Sequence, residues 1–92
     1  MKKIRSCIIN GKRWRIVWSS PGGDFGECDW DKHTITINPS CDPTSMCDVL
    51  IHELAHAHFP CMSEAAIDSF ATSASDTLFK AGLINEDALD AR

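Results

Sequence analysis

The sequence predicts an α+β fold: a small, mostly antiparallel sheet of three or four strands followed by two antiparallel helices. Three observations carry that reading. The first forty residues hold short β-branched and aromatic runs, two of them separated by Asn10-Gly11. His33 to Asn38 alternates in the same period-two manner. From Asp42-Pro43 onward the apolar spacing changes to that of a helix.

Each element has its own local cause. Ile4 to Ile9 and Trp14 to Trp18 flank Asn10-Gly11, a dipeptide that accepts the positive φ of a tight type I′ hairpin turn. In the second run Trp14, Ile16 and Trp18 alternate with Arg13, Arg15 and Val17, which makes one face apolar and one solvated. Ser19 to Asp24 is a loop by composition, and Phe25 to Trp30 reads as a further short strand. His33-Thr34-Ile35-Thr36-Ile37-Asn38 is a clearer strand, ended by Pro39.

Asp42 then serves as N-cap with Pro43 at the first helical position, where its missing N–H costs nothing. That helix is expected over 43–59 and is stopped by Pro60. Ser63 caps a second helix over 63–82, with Glu64 in the first turn against the macrodipole. Its expected apolar stripe is Ile67, Phe70, Ala71, Ala74, Leu78 and Ala81. Gly82 with Leu83 suits a Schellman end, and 83–92 is a tail.

At 92 residues the chain is read as a single domain. Its 43% hydrophobic and 24% charged residues exclude wholesale disorder. The net charge of -4 makes nucleic acid an improbable partner, although six of nine Lys and Arg residues lie in the first fifteen positions. All thirteen acids follow from Asp24 onward. No apolar run is long enough to span a bilayer, and no leader-like segment follows Lys2, Lys3 and Arg5, so a cytoplasmic protein without membrane contact is expected. Five cysteines cannot all pair and contain no Cys-x-x-Cys, which suits reduced thiols in a reducing compartment.

One motif carries chemistry: His52-Glu53-Leu54-Ala55-His56. On a helix the two histidines lie about 40° apart, so both imidazoles reach one ion. Glu53 stands beside that ion, about 100° from His52, in the position of a general base. A catalytic zinc takes a third protein ligand and leaves a fourth position open. Candidates are His33, His58, Glu64, Asp68 and the cysteines. His58 points about 120° away from His52. The short turn at 59–62 returns the second helix antiparallel, which brings Glu64 level with His56 and Asp68 level with His52. Glu64 then completes a His-His-Glu set for one Zn²⁺ per chain, and Asp68 accepts an imidazole N–H to fix its tautomer.

The same residues resemble a known family. His52-Glu53-x-x-His56 with Glu64-Ala65-Ala66-Ile67-Asp68 resembles the gluzincin zinc metallopeptidases. With Gly11 to Ile16, Gly26 to Asp29 and Thr34 to Ile37, the chain is similar to the very short zincin-like proteins common on phage genomes. The resemblance implies a hydrolase cleaving a protein or peptide, with His52, His56 and Glu64 on zinc, Glu53 as general base and Asp68 behind a histidine. It also implies that the strand over His33 to Asn38 borders the cleft and offers its edge to an extended peptide. The chain has no Tyr, so oxyanion stabilisation beyond the metal is expected of His33, an N-terminal arginine or a partner. Two other function classes compete: a non-catalytic zinc-containing module that regulates a partner protein, and a DNA-associated protein using the Lys2 to Arg15 cluster.

Overall fold

A computed structural model describes residues 2–19, 25–39 and 42–84. The elements run β1 (Ser6–Ile9), β2 (Lys12–Trp18), β3 (Gly26–Asp29), β4 (Thr34–Ile37), α1 (Pro43–His58) and α2 (Glu64–Lys80). The architecture is α+β, a four-stranded sheet followed by two helices. The expected loop over 20–24, Cys41 and the tail beyond 84 lie outside the described residues.

Local signals produce local structure. Asn10 and Gly11 take φ of 51° and 77° and close the antiparallel β1–β2 hairpin, in which Cys7 faces Trp14. The Asp42 carboxylate accepts the Ser45 backbone N–H at 3.0 Å, and Ser63 Oγ accepts the Ala66 N–H at 3.2 Å, so both helix starts are capped by the residues that the spacing suggests. At the end of α2, Gly82 has φ 75°. There the Leu83 N–H reaches Leu78 O and the Gly82 N–H reaches Phe79 O, each at 3.0 Å, the bond pair of a Schellman end.

The sheet departs from the expected pattern in one pairing. Its order is β1-β2-β4-β3, and β2 runs parallel to β4; the sheet is mixed, with its other two pairings antiparallel. The cause lies in the side chains. Ile35, Thr36 and Ile37 of β4 are all buried, which suits a central position. β3 carries Glu27, Asp29 and a glycine, and such a strand tolerates an edge. The hairpin joining β3 to β4 therefore enters the sheet with β4 innermost.

One sheet face holds the core: Ile9, Trp14, Ile16, Ile35 and Ile37 pack with Met46 and Ala57 of α1, supported by Cys7, Trp18, Cys28, Val49, Leu50 and Leu54. Arg13 and Arg15 alternate with these residues and are exposed on the opposite face. α1 lies against β3 and β4, and α2 packs on α1. The α2 stripe also differs from expectation. Ile67, Ala71 and Ser75 are buried, whereas Phe70 is 55% exposed and Ala81 is exposed. The helix is turned so that the edge bearing Glu64 and Asp68 meets α1, and Ser75 satisfies its hydroxyl on Thr72 O at 3.2 Å.

Candidate metal centre

The short turn after α1 reverses the chain, and contacts between the helices then run in opposite order. His56 meets Glu64, His52 meets Glu64 and Asp68, and Asp48 meets Thr72. That antiparallel register places three side chains around one point. His52 Nε2 lies 2.8 Å from Glu64 Oε1, His56 Nε2 lies 2.9 Å from Glu64 Oε2, and the two imidazole nitrogens are 3.1 Å apart. Among the described residues, His52, His56 and Glu64 are the group able to hold a metal ion. Of the other sequence candidates, His58 hydrogen-bonds Leu54 O through Nδ1 at 2.9 Å, and the described cysteines are free thiols outside the group.

Asp68 fixes the chemistry of the first imidazole. His52 Nδ1–H donates to Asp68 Oδ1 at 3.0 Å, so a metal-ligating, neutral His52 presents Nε2 as its bare lone pair. That lone pair faces a carboxylate oxygen and a second imidazole nitrogen. Acceptors converging at hydrogen-bond distance repel unless a positive centre sits among them, and the donor set of two imidazoles and a carboxylate fits a divalent cation. Tetrahedral ligands about 2.0–2.1 Å from an ion stand roughly 3.3 Å apart, close to the separations here.

Glu53 lies beside this group. Its residue is only 7% exposed, and it lines the same shallow cavity of about 310 Å³ as the three candidate ligands. Burial raises its carboxyl above the usual carboxylate range; His52 and His56 pull it down, while Glu64 and Glu27 push it up. A shift in this direction is the one that general-base work asks of a carboxylate.

The opposite wall of the cavity comes from β3, not β4. Gly26, Glu27, Cys28 and Trp30 line it, while β4 is enclosed between β2 and β3 and has no free edge to offer. The expectation that the strand over His33 to Asn38 borders the cleft is thus corrected by one position in the sheet. Because Asn38 N–H bonds Phe25 O at 2.8 Å, the antiparallel alternation turns the backbone groups of Gly26 and Cys28 toward the open side. His33 does not reach the cavity: its ring stacks on Trp14 at 5.0 Å. Arg13 and Arg15 lie across the sheet from α1. Burial, then Glu53 and Asp29, push the Cys28 thiol up to about 12, which keeps it protonated near the site.

Sequence spacing brought Glu53 and the metal group to attention but missed Gly26 and Trp30. An added Cβ on Gly26 would stand 2.7 Å from Val49 Cγ1 and 3.2 Å from Glu53 Cγ, so the strand approaches the motif helix closely only because that side chain is absent. Comparison with protein-family models, with curated proteins and with solved structures returns no match for this chain. No helix among the described residues is long and apolar enough to cross a membrane.

Proposed function

We propose that the protein is a zinc-dependent metallopeptidase that hydrolyses a peptide bond of a protein or peptide substrate. The observation that carries this reading is the closure of His52 Nε2, His56 Nε2 and Glu64 to within 3.1 Å, with the buried Glu53 beside them. When bound there, zinc supplies Lewis-acid polarisation of a carbonyl and lowers the pKa of water to about 7.

The chain's own groups do the rest. Glu53 accepts the proton of the attacking water as the oxygen adds to the scissile carbonyl carbon. It then delivers that proton to the amine nitrogen as the C–N bond breaks. Asp68 holds His52 in the tautomer that presents Nε2. The open backbone groups of Gly26 and Cys28 hold an extended substrate segment as an added strand. Phe25 and Trp30, both exposed at the two ends of β3, flank that segment.

Metal analysis and one substitution test the reading. Purified protein is expected to hold one zinc per chain, lost in His52→Ala. Glu53→Gln is expected to keep the zinc and lose turnover of a cleavable peptide by at least about 100-fold, the lower end of the range for a general base. Zinc content well below one per chain and unchanged in His52→Ala would remove the idea. A second reading, a zinc-containing module that binds a partner without cleaving it, draws on a different observation: the described residues lining the cavity include Glu27, Glu53 and Glu64 but no Lys or Arg to stabilise an oxyanion. Zinc retention with turnover lost in Glu53→Gln excludes it; zinc with no turnover in the wild type favours it.

A further inference from the structure

We infer that Trp30 is a positioning residue for the metal centre, acting through His56. This rests on the metallopeptidase reading for its purpose but on a separate contact for its evidence. In an α-helix the carbonyl of His56 would accept the N–H of residue 60, and residue 60 is proline, which has none. The helix stops there: its last backbone bond, from Phe59 N–H, goes to Ala55 O. The Trp30 indole N–H fills the gap by donating to His56 O at 3.2 Å.

The same indole meets the His56 imidazole edge-on, with ring centroids 6.2 Å apart and planes at 90°. One side chain thus fixes both the backbone and the ring of a candidate ligand. Trp30 follows β3 directly and lines the cavity with His56, so it couples the edge strand to the end of the motif helix. Trp30 is not itself one of the candidate ligands. Its role is to hold His56 at the depth where Nε2 converges on His52 and Glu64, as outer partners of metal ligands do.

A double-substitution cycle read by zinc affinity tests this. Trp30→Phe keeps a ring and removes the N–H; it is expected to weaken zinc binding, measured by chelator competition, about tenfold. Pro60→Ala restores a backbone N–H able to satisfy His56 O. In that background Trp30→Phe is expected to cost less than about twofold, because the carbonyl no longer depends on the indole. No loss in the first background, or an equal loss in both, overturns the inference and marks Trp30 as packing alone. Proton exchange of the Trp30 indole in metal-free wild-type protein gives a readout that needs neither variant: protection supports the contact, and exchange at the rate of free tryptophan overturns it. Absence of zinc binding by the wild type would instead remove the metallopeptidase reading, a result the indole measurement does not share.

Discussion

Gly26 occupies a point where the edge strand and the buried Glu53 compete for space. A methyl there would stand 2.7 Å from Val49 Cγ1, 3.1 Å from the Thr36 carbonyl and 3.2 Å from Glu53 Cγ. Val49 can turn a little, but Thr36 O belongs to the partner strand and cannot retreat without disturbing the ladder. Gly26→Ala is therefore expected to destabilise the fold by about 1–3 kcal/mol, the ordinary cost of overpacking, measured as a lower urea midpoint. Peptide turnover should fall on the order of 100-fold, since a shift of about 1 Å in a reacting group costs that much. A variant as stable and as active as the wild type would contradict the close approach of β3 to Glu53. At this scale the sequence was legible where chemistry depends on short spacing. His52, Glu53 and His56 share one helix face by arithmetic alone, and a turn of fixed length carries Glu64 and Asp68 back to them. Gly26 and Trp30 were not legible as site residues, because their meaning comes from β3 lying against α1, a contact between distant parts of the chain. One signal for Trp30 was present: Pro60 leaves a helix carbonyl without its usual donor.

The elements follow the same division between near and far. The β1–β2 hairpin, both N-caps and the Schellman end each depend on a few consecutive residues, and each forms where those residues stand. The parallel pairing of β2 with β4 does not follow from any local signal. It follows from which strand can bear exposure: the alternating isoleucines of β4 need cover, and the charges of β3 do not. Reading strand composition as a preference for centre or edge would have moved the cleft from β4 to β3. The rotation of α2 has a comparable origin, since the seam is set by carboxylates reaching α1 as well as by apolar residues.

The start of α1 offers a pH test of element stability. The Ser45 backbone N–H, and then its hydroxyl, hold the Asp42 carboxyl below its usual value. A depressed folded-state pKa contributes stability that is present above the unfolded value, near 3.9, and is lost as pH falls through the folded one. Asp42→Asn keeps an N-cap acceptor without the charge. The wild type should be the more stable of the two at pH 7, by thermal midpoint, and the gap should close as pH falls past the unfolded value and through the lowered folded one. A gap that persists at low pH would show that the cap acts through geometry alone.

At the scale of the whole molecule, the metal group is a clasp between two helices. His52 and His56 stand on α1, and Glu64 stands on α2, which packs chiefly on α1 rather than on the sheet. A chain of 92 residues covers its core poorly and has little stability in reserve. An ion binding only the folded arrangement adds RT ln(1 + [L]/Kd), about 2.7 kcal/mol at a hundredfold excess over Kd. For a chain of this size each kcal/mol moves the thermal midpoint about 4–8 °C. Zinc is thus expected to raise the midpoint by roughly 10–20 °C, and a chelator to reverse the rise. His56→Ala should abolish the shift, whereas Glu53→Gln should retain it, because Glu53 stands beside the ligand set without belonging to it. That contrast separates the two jobs of the motif helix. If both variants lost the shift alike, Glu53 would be part of the clasp, and the proton-transfer role assigned to it would have to pass to another group.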